Sequence, residues 1–151
     1  MKKLFLLSAL ILLGCVAVHA QSAEKISEII KTKDVTYGQM SYLAGVYNMR
    51  VSDHASYEQS FEALRQAGLI SPDVSIDDKI PLQEAAFLCA DAAGVKGGLF
   101  YSLFHNPRYA YRELKAQGIL PQSVDSGMSI NGRDAIAILN GCIALTGGNE
   151  E

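Results

Sequence analysis

Apolar positions in this chain recur at helical spacing. Tyr57, Phe61 and Leu64 stand at i, i+4 and i+7, on one face of a helix. Ile26, Ile29 and Ile30 mark one face of a shorter helix predicted over Ala23–Lys31. Leu82–Ala93 and Arg133–Leu145 are apolar nearly all round, which predicts buried helices at the centre of the body. Segments carrying Glu58, Glu62 and Arg65, or Arg112, Glu113 and Lys115, mix charge with apolar residues and are expected to pack outside. No run alternates with period two, so the expected class is all-α.

The pattern repeats. Phe61-Glu-Ala-Leu64-Arg-Gln-Ala-Gly68-Leu-Ile70 aligns with Tyr111-Arg-Glu-Leu114-Lys-Ala-Gln-Gly118-Ile-Leu120 at an offset of 50. Ile80 and Ile130 keep that offset and open the apolar helices. A third opening, Val35-Thr36-Tyr37-Gly38-Gln39, lies earlier. Each unit reads as helix, loop, helix. Gly68 and Gly118 sit where a helix end wants a left-handed residue, and Pro72 and Pro121 block resumption of the helix. Gly97-Gly98 joins the second and third units, and Leu99–Phe104 is expected to add an apolar turn or short helix before Asn106-Pro107.

At these residues the pattern resembles the S-layer homology (SLH) domain. Val51-Ser52-Asp53 matches that family's lead-in, and Gly68-Leu69-Ile70 and Gly118-Ile119-Leu120 match the end of its first helix. Val35-Thr36, Ile80-Pro81 and Ile130-Asn131 match its Ile-Thr opening, with Gln39, Glu84 and Asp134 at its Glu position. The resemblance covers about residues 24–146 and implies a pseudo-threefold bundle of three helix-loop-helix repeats, about 24–49, 51–95 and 99–147. It also implies non-covalent anchoring to cell-wall polymer. The family's polymer-binding Arg is replaced by Tyr37, Leu82 and Gly132, so the fold transfers better than the ligand.

The matched polar positions have a local reading as well. Thr36-x-x-Gln39 is a capping box, Asn131-x-x-Asp134 a partial one, and Glu84 follows a Pro suited to a helix start.

The first twenty residues read as an address. Lys2 and Lys3 precede an apolar run over Leu4–Leu13, too short to span a bilayer, and Val18-His19-Ala20 forms a small-residue cleavage site. Leu12-Leu-Gly-Cys15 also resembles a lipoprotein signal, so cleavage after Ala20 and lipidation of Cys15 both stand open. Either way the protein is exported, to a bacterial periplasm or cell envelope, with residues 21–149 as a single helical domain. Loss of residues 1–20 takes two lysines and no acid, so the net charge moves from -3 to -5. That balance argues against nucleic acid as a partner. A membrane contact is expected only through Cys15.

Candidate chemistry is sparse. Asp73, Ser75, Asp77 and Glu84 fall at calcium-loop spacing, but Asp78 stands where the sharp turn wants Gly, so an acidic solvated turn competes with a metal site. Cys89 and Cys142 could face one core, as a disulfide or as two buried thiols. No nucleophile, phosphate-loop or dinucleotide motif occurs, so neither an enzyme nor a cofactor is expected. Phe100, Tyr101, Phe104, Tyr109 and Tyr111 form an aromatic cluster, read either as core between the second and third units or as a binding surface. The candidate groove is Tyr101, Arg108, Tyr109 and Arg133. The functional expectation is a non-enzymatic envelope module binding cell-wall glycan or another envelope component. The alternative is a lipoprotein or periplasmic scaffold whose helices bind an envelope protein.

Overall fold

Backbone hydrogen bonds between distant segments tie the helices together. In the computed structural model, which describes residues 22–147, the chain forms seven helices and no strand among the described residues. They are α1 (22–31), α2 (Tyr37–Tyr47), α3 (Tyr57–Gln66), α4 (Leu82–Ala92), α5 (Leu99–Phe104), α6 (Pro107–Ala116) and α7 (Gly132–Gly147). The protein is all-α. The address segment, Cys15 and the last residues of the expected domain lie outside the described residues.

Helix starts follow from local chemistry. Thr36 Oγ1 accepts from Gln39 N (3.3 Å) while Gln39 Oε1 accepts from Thr36 N (3.2 Å). Ser56 and Gln59 form a second, equivalent box that the sequence reading missed. Asn106 caps α6, with Pro107 in its first turn. Asn131 Oδ1 accepts from Asp134 N, and Asn131 Nδ2 donates to the Asp134 carboxylate. Glu84 makes no cap: Pro81 leads α4 without a side-chain bond, and the Glu84 carboxyl is instead half-buried, its pKa pushed up by that burial.

Helix ends agree between α3 and α6. Gly68 (φ 75°) and Gly118 (φ 76°) take the left-handed conformation that spares a Cβ clash. Leu69 N donates to Leu64 O at 3.0 Å, and Ile119 N to Leu114 O at 2.9 Å. The loops that follow repeat their turns, with Val74 N to Ser71 O and Val124 N to Pro121 O, both 3.4 Å. The stretches 61–88 and 111–138 therefore share one local course.

Val35, Ile80 and Ile130, all buried, meet at the centre, where Val35 N donates to Ile130 O (2.8 Å) and Ile80 N to Val35 O (2.9 Å). Around them run Tyr37 N to Asp78 O (3.0 Å), Leu82 N to Met128 O (2.8 Å) and Gly132 N to Thr32 O (2.9 Å). Asp34 joins both neighbouring loops, taking Lys79 Nζ at 3.0 Å and Ser129 Oγ at 2.8 Å, and these bonds lower its pKa.

The core is one apolar cluster to which all seven helices contribute, α5 through Tyr101. Helix α2 is buried from Tyr37 through Gly45, and α4 nearly throughout. Helix α7 departs from expectation: Ala135, Ile138, Leu139 and Cys142 are buried, but Ala137, Asn140 and Ala144 are exposed. α3 packs on α2 and α6 on α4, while α7 meets α4 and α2. An all-round apolar sequence does not bury a helix unless a neighbour covers each face.

Candidate functional site: the aromatic face of α5 and α6

Helix α5 is a six-residue turn, Leu-Phe-Tyr-Ser-Leu-Phe, and so short a helix is held by tertiary contacts rather than by its own propensity. At its start, Gly98 N donates to Glu113 Oε2 on α6 at 2.9 Å, and Ser102 Oγ donates to Lys96 O at 2.7 Å. Gly97 (φ 56°) lets the backbone pass over the Tyr101 ring, where a Cβ would come within 2.6 Å of Tyr101 Cδ1. At its end, His105 adopts φ 29° and closes the turn by donating its N–H to Tyr101 O at 2.8 Å. His105 Nε2 stands 3.2 Å from Asp91 Oδ1, and the nearly buried Asp91 also pairs with Arg50 at 3.1 Å.

This frame lets α5 bury one side chain. Tyr101 is buried, packs 5.1 Å from the His105 ring, and has no hydrogen-bond partner for its hydroxyl among the described residues. Burial first, and the Asp91 charge second, hold the Tyr101 phenol well above its ordinary pKa. The other apolar side chains point away from the core: Leu99 is 78% exposed, Leu103 69%, Phe100 63% and Phe104 50%. The pairs 99/103 and 100/104 fall at i, i+4, so they form a continuous outward strip. Tyr109 of α6 supports it from behind, stacking on Phe104 (5.2 Å, 19°) and on Phe100 (6.0 Å, 10°). A cavity of about 380 Å³ opens beside the strip, lined by Gly98, Leu99, Phe100, Tyr101, Tyr109, Arg112 and Glu113. Glu113 is already occupied, since Oε2 takes Gly98 N and Oε1 takes Gln117 Nε2 at 2.9 Å. Arg108 and Arg112 lie one turn apart on α6, and neither makes a hydrogen bond or ion pair among the described residues.

Several sequence expectations change here. The reading of the aromatic cluster as core fails for Phe100 and Phe104, because Tyr101 alone fills the space that α5 covers. Tyr111 turns elsewhere, donating its hydroxyl to Val124 O at 2.6 Å under Lys115. Of the expected groove, Tyr109 lines the cavity and Tyr101 forms its floor. Arg108 lies beside it on α6, and Arg133 sits apart at the start of α7, next to α1. Arg112, Leu99 and Leu103 belong to the site and were missed. Their i, i+4 spacing was visible, but not the direction it faced.

The remaining candidates do not assemble. No group of three or more His, Cys, Asp or Glu side chains among the described residues is placed to hold a metal ion, which removes the Asp73, Ser75, Asp77, Glu84 set. Asp78 Oδ2 instead accepts from Ser75 N at 2.7 Å, and Glu84 lies against a separate cavity with Arg65, Phe87 and His105. Cys89 and Cys142 are free, buried thiols rather than a disulfide. Burial pushes the Cys142 thiol up to about 12 and raises Cys89 well above its ordinary value, with Cys142 adding to the latter.

The three positions where the SLH pattern carries Arg have a shared fate. Tyr37, Leu82 and Gly132 are all buried. At Gly132 a Cβ would stand 1.6 Å from Ile29 O, so α1 occupies the space a side chain would need. Compared with known proteins, the chain matches no family model, no curated protein and no solved structure.

Proposed function

We propose that this chain is a non-enzymatic, exported module of a bacterial cell envelope, built as a divergent SLH-like bundle of three helix-loop-helix units, and that it holds an envelope component through the α5–α6 face. The bundle reading is supported by the bonds Tyr37 N to Asp78 O, Leu82 N to Met128 O and Gly132 N to Thr32 O. They run from first unit to second, second to third and third back to first, as a pseudo-threefold axis through Val35, Ile80 and Ile130 requires. The common course of 61–88 and 111–138 supports it as well.

The observation that carries the functional reading is the outward apolar strip of α5. Soluble proteins seldom expose contiguous large apolar side chains without a use for them. Tyr37, Leu82 and Gly132 are buried, so no cation stands at the positions where the SLH pattern grips an anionic wall polymer, which favours another envelope component. Fractionation of expressing cells tests this. The chain is expected in the envelope fraction, and Leu99→Ser/Leu103→Ser is expected to shift it toward the soluble fraction. Lipid-free sacculi that capture wild type and this variant equally would overturn the assignment.

A further inference from the structure

We propose that the α5–α6 face docks on an anionic phospholipid surface, with the strip of α5 seated among the acyl chains and the α6 arginines at the headgroup phosphates. This rests on the envelope reading above and names the component.

Shape decides first. A ligand groove is concave and receives its occupant. Here Leu99, Phe100, Leu103 and Phe104 protrude from a turn whose only buried side chain is Tyr101. A protruding apolar strip enters a soft medium more readily than it encloses a rigid ligand.

Polar inventory decides second. A saccharide needs several free donors and acceptors beside an aromatic face. Both carboxylate oxygens of Glu113 are taken, the Tyr101 hydroxyl is buried, and Arg112 is the one remaining charged group in the cavity. A hydrocarbon interior asks for no hydrogen bonds.

Charge decides third. Elsewhere Arg50 pairs with Asp91, Arg65 with Glu62 and Lys79 with Asp34, while Lys115 donates to Gln122 O and Val124 O. Arg108 and Arg112 have no such partner among the described residues, as is also true of Lys31, Lys33, Lys96 and Arg133, so it is position that marks out the two α6 arginines. They stand on the helix that supports the strip, where phosphates would lie once the strip is seated. The net charge of the mature chain is negative, so long-range attraction to an anionic membrane comes from this local pair and not from the whole molecule. Seating Phe and Leu side chains with cations at the rim is the arrangement of interfacial helices.

The test is flotation of the exported chain carrying Cys15→Ser, so that no acyl chain contributes, with vesicles of phosphatidylethanolamine and phosphatidylglycerol or of phosphatidylcholine alone. Binding is expected to the anionic vesicles and to weaken with added salt. Arg108→Gln and Arg112→Gln should each weaken it by about fivefold, and Leu99→Ser/Leu103→Ser by at least about tenfold. Circular dichroism melts should leave these exposed-site variants folded. Absence of binding overturns the inference, as does equal binding by Leu99→Ser/Leu103→Ser. A monomer–dimer equilibrium in lipid-free solution that the same variant abolishes would assign the strip to a second copy instead. A chain that stays in the envelope fraction of cells yet ignores bare vesicles would leave the envelope reading standing and overturn only the lipid.

Discussion

Replacing Gly132 by alanine puts a methyl group into backbone. The new Cβ would lie 1.6 Å from Ile29 O, 2.5 Å from Ile29 C and 3.0 Å from Ile30 Cα. No rotamer can relieve that, because all three atoms belong to the main chain of α1. The start of α7 and the end of α1 must separate by well over an ångström, which also breaks the 2.9 Å bond from Gly132 N to Thr32 O. Overpacking costs about 1–3 kcal/mol and the lost bond about 1 kcal/mol. Alanine's better helix propensity returns at most about 1 kcal/mol. The net expectation is a loss of about 1–3 kcal/mol. In urea denaturation followed by circular dichroism, this lowers the midpoint by about 1 M at unchanged slope. Gly45→Ala is the internal control. There the Cβ would meet Val51 Cγ2 at 3.0 Å and Leu64 Cδ1 at 3.3 Å, ends of side chains that can shift, so the loss should stay under about 1 kcal/mol. If Gly132→Ala unfolds at the wild-type midpoint, or if the two variants lose equally, the close approach of α1 to α7 is not real.

Three further outcomes follow from caps, backbone conformation and titration. Thr36→Ala and Ser56→Ala should each cost about 1 kcal/mol in the same denaturation assay, since each removes one half of a capping box; a neutral result at both would refute the cap assignment. Met49 holds φ 59° just beyond α2 while 90% exposed, so Met49→Gly should raise the melting temperature by a few degrees, and a lower value would show that the Met49 side chain contributes something its exposure hides. The titration outcome is alkaline. Cys142, Tyr37 and Tyr57 are pushed up to about 12 and Cys89 is raised, chiefly by burial, so the folded chain holds protons that the unfolded chain releases. Their stabilising contribution is whole below about pH 9, where unfolded thiols are still protonated, and is lost as pH rises toward 12. Urea midpoints should be level below that point and fall above it, and Cys89→Ala/Cys142→Ala should remove the earlier part of the fall. Level midpoints through pH 11 would contradict the burial of these groups, which is about two pH units past the thiols' ordinary titration.

Local features were legible in the residues. The 50-residue offset located two copies of one helix-loop unit, and both glycines took the left-handed conformation their positions required. The Thr36–Gln39 box and the Asn131–Asp134 pair are short-range, set by side chains three residues apart, so spacing alone specified them. Helical class followed from periodicity for the same reason.

Direction required the tertiary structure. Leu82–Ala92 and Gly132–Gly147 look alike as apolar sequences, yet one is enclosed and the other shows Ala137, Asn140 and Ala144 to solvent, because α6 covers α4 and none of α2–α6 covers that face of α7. Leu99–Phe104 could have faced inward by composition. It faces outward because the His105 turn, the Gly98–Glu113 bond and the Tyr101 anchor set its rotation. Hydrophobicity determines that a side chain gains by leaving water, but which side chains succeed depends on how many neighbours the fold can bring to them.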